Sequence, residues 1–311
     1  MDAIPYSPEK VDLFYPARSA NFFAAGLPGT EAALCAQMAR LAYCRPEPYF
    51  QFDRDQIAAA LAPIGFTCQF FESTGTPEGV GTHAFLALRD APDPGKLAVV
   101  AFRGTDAGDP TDLADDAEFL QCEWPQGGLV HRGFAEALAH VLPALNPALD
   151  AVRGRVLFTG HSLGAAMATL MASARRPDCL YTFGSPRVGD PAFVATLIGV
   201  NNRRFVDCCD IVTRVPPESL PPKVDYAHYG VPYYIDRHRL ITENPDEAFI
   251  ANDRLAAREE YLLEYAWRVG NVAVRDLADH AIINYVTAVA ADASQPKLGE
   301  VETGSPGAAR P

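Results

Sequence analysis

The chain has 311 residues, 49% of them hydrophobic and 21% charged, so it is long enough and apolar enough to bury a full globular core. Its 39 acidic and 26 basic residues leave a net charge of −13, which argues against nucleic-acid binding and provides no attraction to anionic membranes. No stretch has the length and apolarity of a bilayer span. No Pro/Gly/Ser linker divides the middle, so residues 1–291 are expected to form a single domain, with an unstructured tail over 292–311.

Residues 1–29 are rich in proline and aromatics and are expected to wrap the body without regular structure. The first residues lack a basic segment followed by an apolar run, and so do not read as a secretory leader. Seven cysteines, an odd number with no Cys-x-x-Cys pair, read as reduced thiols and not as a disulfide framework or a metal site. These features lead to an expected cytoplasmic location, with a secreted mature form as the alternative. Thr30 can cap a helix running to Tyr43, and a short helix is expected over 53–61. Strands are expected over 66–71 and 82–88, then over 97–102, whose continuous apolar run suits a central strand. A helix over 134–145, ending near Pro147, leads to a strand over 155–159 and a small-residue helix from Ala165. A strand over 180–183, a helix over 190–198 and a strand over 204–208 follow. Helices over 246–269 and 277–290 complete the order. Strands alternating with helices predict an α/β fold, a mostly parallel central sheet with helices on both faces. Working residues in such a sheet sit on loops at the C-terminal ends of the strands.

At one such end lies Gly160-His161-Ser162-Leu163-Gly164, between an apolar strand and a helix. A Gly-x-Ser-x-Gly in that context is a nucleophile elbow. The turn is so tight that residues two before and two after the serine have no room for side chains. The helix that follows points its N-terminus toward a developing oxyanion. A serine hydroxyl needs a base to remove its proton, and the base needs a carboxylate to orient it. In this architecture the acid and then the histidine follow the serine. Three histidines do so, at 228, 238 and 280. His280, late in the chain at the start of the last helix, is the expected base, with His228 as its rival. Asp210, just after the strand over 204–208, is the expected acid. Asp207 competes, but falls inside the apolar strand.

Six segments match a known pattern in order: Ala101-Phe102-Arg103-Gly104-Thr105, Val130-His131-Arg132-Gly133-Phe134, the elbow itself, Phe183-Gly184-Ser185-Pro186-Arg187-Val188-Gly189, Asp210-Ile211-Val212-Thr213-Arg214-Val215-Pro216-Pro217 and Asp279-His280. Over roughly residues 97–285 the chain resembles the class 3 lipases, the fungal-lipase-like branch of the α/β-hydrolases. The resemblance implies a serine carboxylic-ester hydrolase acting on lipid esters through an acyl-enzyme. Ser162 would be its nucleophile, Asp210 its acid and His280 its base, with no metal or organic cofactor. It further implies an oxyanion hole built from Thr105, the residue after Phe-Arg-Gly, and the backbone N–H of Leu163. A phospholipase or acyltransferase, or a non-catalytic lipid-binding homologue, are the alternatives.

One stretch departs from the family. The segment after Phe-Arg-Gly-Thr forms an amphipathic lid in these lipases. Here residues 106–120 carry six acidic side chains and no aromatic before Phe119. Such a segment has little apolar face to insert into a lipid interface, so soluble, shorter esters become the expected substrates.

Overall fold

The computed structural model describes residues 4–18, 21–46, 51–73, 81–91, 95–104, 119–221 and 224–298. Its centre is an eight-stranded sheet in the order β1-β2-β3-β6-β7-β8-β11-β12. These strands are β1 (Thr67–Glu72), β2 (His83–Ala91), β3 (Gly95–Phe102), β6 (Gly154–His161), β7 (Cys179–Phe183), β8 (Asn202–Asp207), β11 (Pro232–Ile235) and β12 (Ile241–Glu243). From β3 to β11 neighbouring strands run parallel, while β1, β2 and β12 pair antiparallel at the two ends. The small hairpins β4 (Gln121–Glu123) with β5 (Leu129–His131) and β9 (Ser219–Leu220) with β10 (Val224–Asp225) lie apart from it.

The sheet divides the core into two layers because side chains alternate along a strand. On β3, Leu97, Val99 and Ala101 face a layer with helix α2 (Glu31–Leu41) and α10 (Ile282–Ala291), whereas Ala98, Val100 and Phe102 face the opposite layer. That second layer holds α4 (Arg132–Ala139), α5 (Leu142–Asp150), α6 (Leu163–Ala174) and α7 (Pro191–Thr196). Helices α1 (Lys10–Phe14), α3 (Arg54–Leu61), α8 (Glu247–Glu264) and α9 (Arg275–Ala278) complete the described set. Thr30 caps α2 as its sequence position indicated, accepting a bond from Ala33 N at 3.2 Å.

Several elements differ from the sequence reading. The helix expected over 134–145 is two, α4 and α5. Pro143, in the first turn of α5, cannot donate the bond a continued helix would need. The expected helix over 277–290 is likewise broken, and His280 occupies the link between α9 and α10. Helix α1 forms within a segment expected to be irregular, and α8 stops at Glu264, short of Val269. Strands β11 and β12 extend the sheet beyond the expected set. The beginning of the expected unstructured tail packs on the body. Leu298 N donates to Gly29 O at 2.8 Å, and Gln295 is buried.

Helix α2 is locked to the elbow strand by charge. Glu31, 1% exposed, accepts two bonds from Arg155 of β6 at 2.6 and 2.9 Å and a third from Tyr181 Oη at 3.0 Å. Removing Glu31 would leave the partly buried Arg155 guanidinium and the buried Tyr181 hydroxyl without their acceptor. Glu31→Ala should therefore cost about 1–3 kcal/mol in urea unfolding, and Glu31→Leu combined with Arg155→Leu less. A loss under about 1 kcal/mol in the single variant would show that this pair does not clamp α2 to the sheet.

Candidate active site

The elbow is built by close approach of backbones. A Cβ on Gly160 would lie 2.2 Å from Gly164 C, and one on Gly164 would lie 2.2 Å from Phe102 O. Helix α6 can thus press against β6 and β3 only where these positions are glycine. Ser162 between them has φ 58° and ψ −129°, a conformation that L-residues rarely adopt. The surrounding bonds hold it there. Ser162 N donates to Phe183 O at 3.1 Å, and Ser162 O accepts from Ala165 N at 2.9 Å. The residue is 6% exposed, so the hydroxyl sits in a covered recess.

Asp210 and His280, 70 residues apart, meet at this end of the sheet. Nδ1 of His280 lies 3.0 and 2.9 Å from the two oxygens of Asp210. Both residues are buried, at 3% and 0% exposure. With a carboxylate against Nδ1, that nitrogen carries the proton and Nε2 is left as the acceptor. Asp210 is held by Val212 N at 2.9 Å and by Tyr285 Oη at 2.5 Å. Gly184, at φ +58°, allows this approach, since a Cβ there would lie 2.7 Å from Asp210 Oδ2 and 3.1 Å from His280 Nδ1. The two loops are also tied to one another. Cys209 N donates to Asp279 Oδ2 at 2.9 Å, and Ile211 N to Asp276 O at 3.1 Å. Asp279 in turn receives Tyr6 Oη at 2.8 Å and Arg275 Nε at 3.2 Å.

The competing residues are engaged elsewhere. Asp207 accepts two bonds from Arg239 at 2.8 and 2.7 Å. His228 donates Nε2–H to Thr213 O at 2.8 Å. Leu163 opens helix α6 directly after Ser162. Thr105 and residues 106–118 of the expected lid lie outside the described residues. Gly104, next to Thr105, is pressed on the elbow, where an added Cβ would meet His161 O at 2.8 Å and Tyr43 Oη at 2.0 Å.

Sequence reasoning missed His161, Tyr43 and Tyr285. The His161 ring lies tilted against that of His280 with centroids 4.5 Å apart, and its Nε2–H donates to His280 O at 2.8 Å. Tyr43 Oη donates to the other nitrogen at 2.7 Å. Burial, and then the neighbouring His280, push the His161 pKa well below the usual histidine value. His161 stands inside the elbow motif, which could have drawn attention to it. Nothing local marks Tyr43 or Tyr285. Among the described residues, Cys208, Cys209 and Asp279 gather potential metal ligands. Asp279, however, already receives the three bonds above and lies against a guanidinium, which leaves it poorly suited to a cation.

The sheet, its helices and the elbow are those of an α/β-hydrolase fold. Residues 99–220 match the class 3 lipase family. It is 33% identical to a lipase of Rhizomucor miehei over 172 residues, 50% of this chain and 45% of that one. It is 34% identical to the secreted mono- and diacylglycerol lipase 1 of Fusarium solani over 176 residues, 52% and 49% of the two chains. The chain thus spans about half the length of the curated relatives it matches. A solved triacylglycerol lipase, its catalytic centre formed by a serine protease triad, aligns with a TM-score of 0.51 and 26% identity. That alignment covers 66% of this chain and 79% of the other. The cytoplasmic expectation is overturned by these relatives, since the Fusarium protein is secreted. All seven cysteines are unpaired, but this reflects which thiols the fold brings together and does not identify a compartment.

Two buried histidines, His83 and His161, and the partly buried His228 make stability depend on pH. His161 and His228 are held well below the ordinary value, His228 by burial and then by Arg204 and Arg187. His83 is held at about 4 by burial and then by Arg103. The unfolded chain would titrate them near 6.5. Below that pH it binds protons that the fold refuses, so stability is full above about 6.5 and lost as pH falls. The expected loss is about 1.4 kcal/mol per pH unit for each histidine. Urea unfolding at pH 7 and pH 5.5 measures it. Equal stability at the two values would show that these imidazoles are not neutral in the fold.

Proposed function

We propose that the chain is a serine hydrolase that cleaves the carboxylic esters of lipids. The observation that carries this reading is the pairing of His280 with Asp210 beside the elbow, where the ring of the residue preceding Ser162 lies against the His280 ring. The relatives support the chemistry, being lipases and a mono- and diacylglycerol lipase. They also support a secreted enzyme, the alternative to the cytoplasmic reading.

In this mechanism Ser162 Oγ attacks the ester carbonyl while His280 Nε2 takes its proton. Asp210 keeps Nδ1 protonated and stabilises the imidazolium. The backbone N–H of Leu163, at the start of α6, and that of Thr105 stabilise the tetrahedral oxyanion, each donor being worth about 2.7–4 kcal/mol in comparable sites. The contact of Gly104 with the elbow supports this pairing. The imidazolium then protonates the departing alcohol. Water, activated by the same histidine, releases the fatty acid from the acyl-enzyme.

Ser162→Ala should lower kcat by about 10⁴–10⁶ and abolish labelling by a fluorophosphonate. His280→Ala should be nearly as damaging and Asp210→Asn somewhat less so. The double variant Ser162→Ala/His280→Ala should be no worse than Ser162→Ala, because the three act as a unit. Retained turnover in Ser162→Ala, or an active His280→Ala beside an inactive His228→Ala, would overturn the assignment.

The acidic composition of residues 106–120 supports a preference for soluble, shorter esters over emulsified long-chain triglyceride. Rate measured against substrate concentration should rise smoothly through the solubility limit. A sharp increase on crossing that limit would refute this part of the reading.

A further inference from the structure

Away from the elbow, a cavity of about 550 Å³ opens between β8, β11 and α8. Its wall follows from strand and helix periods. Arg204 and Val206 point from one face of β8, opposite in register to Pro232 and Tyr234 of β11. Glu247, Ile250, Ala251 and Arg254 form a stripe at i, i+3, i+4 and i+7 on α8. Arg187, Arg214 and His228 come in from loops.

Four of these lining residues are arginines, in a chain of net charge −13. Arg187 is matched by Glu218 at 2.8 Å, a carboxylate on an exposed side chain. The other three have no carboxylate partner among the described residues. Among the described residues Arg204 has only the Gly230 carbonyl, at 3.4 Å from both Nε and Nη2. Arg254 uses Nε on Cys208 O at 2.7 Å, which leaves its outer nitrogens available. Arg214 is exposed at the rim, as is the one further acidic residue of the lining, Glu247. The positive field is felt inside. Burial, and then Arg187, bring the Arg204 pKa down to about 10, and both Arg204 and Arg187 help keep His228 neutral. A half-buried guanidinium with two long bonds to one carbonyl is poorly compensated. An anion in the cavity would complete it, because the planar fork of arginine matches two oxygens of a carboxylate or phosphate.

We propose that this cavity binds an oxyanion, a carboxylate or a phosphate, seated by Arg204 and Arg254 and separate from the hydrolytic centre. The shared chemistry is a fork of anionic oxygens. The apolar wall of Val206, Ile250 and Tyr234 leaves room for a short apolar segment attached to it. Its occupant would also adjoin the loop that carries Asp210, since Thr213 in the cavity wall donates Oγ1 to Asp210 O at 2.8 Å.

The test is isothermal titration of the full chain with inorganic phosphate, acetate and octanoate, independent of any turnover. Saturable binding of at least one is expected. Arg204→Leu should weaken it at least tenfold, Arg204→Lys less, and Arg153→Gln, an exposed arginine elsewhere, not at all. Octanoate binding well above acetate would show that the apolar wall is read, and phosphate binding alone would define a bare oxyanion site. Octanoate that bound the ester site as a product would be insensitive to Arg204→Leu, which separates the two locations. Native thermal unfolding of the Arg204 variants serves as the fold control. Should Arg204→Leu not fold, loss of binding in Arg254→Gln decides the matter. No saturable binding in the natural chain, or binding unchanged by the cavity variants, would overturn the proposal.

Discussion

The arrangement at the head of the sheet depends on one constraint, the absence of side chains where α6, β6 and β3 cross. With Gly160 and Gly164 removing two β-carbons, the helix N-terminus comes within contact of Phe102 O, and the turn between them closes at Ser162. The cost is a serine at φ 58°, a strain of order 1–3 kcal/mol. It is offset by helix α6, in which nine residues from Gly164 to Ala172 are buried, and by the Ser162–Phe183 bond to the adjacent strand. A looser turn would relax the serine but would draw the helix dipole away from the point where the proposed reaction forms its oxyanion. The strain and the placement are thus two results of the same packing.

Burial sets the second condition. In a recess with almost no solvent, each polar atom needs a partner from the protein. Asp210 meets this with His280, Tyr285 and the Val212 amide, and the Asp210 loop is tied to the His280 loop through Asp279. His161 is the less obvious part. Its two ring nitrogens are used by Tyr43 and by the His280 carbonyl, and burial keeps it neutral. A charged imidazole with its centroid 4.5 Å from that of His280 would oppose a positive charge on that ring. A neutral one supports the ring sterically without that penalty, which suits a histidine that must become cationic during the proposed reaction.

The sequence was informative where its signals are local. Alternation on the strands, the Thr30 cap, the glycines around Ser162 and the order of acid and histidine along the chain all depend on neighbouring residues or on simple spacing. It was silent where a partner is distant. Tyr43 reaches His161 across 118 residues and Tyr285 reaches Asp210 across 75, and neither tyrosine differs locally from a core residue. Strands β11 and β12 at one end of the sheet are short, four and three residues, and a run such as Tyr233-Tyr234-Ile235 between proline and aspartate has too few positions to show a period. The break at His280 was missed because the apolar pattern continues through it; the carbonyl of His280 is taken by the distant His161 Nε2–H and not by a helical amide.

Strand β8 links these features. Its inward residues, Phe205 and Asp207, serve the core and the buried pair with Arg239, while Arg204 and Val206 on the other face line the arginine-rich cavity. Just past its end the chain turns through Cys208 and Cys209 to Asp210. Arg254 holds Cys208 O from the cavity side, and Asp279 holds Cys209 N from the site side. The loop carrying the proposed catalytic acid is therefore gripped between a cationic cavity and the histidine loop. Charge placed in that cavity acts on a rigid strand and two defined hydrogen bonds, not on a free surface. A half-buried arginine that lacks a carboxylate is costly in any fold. Its position one strand-length from Asp210 puts that cost where it bears on the site.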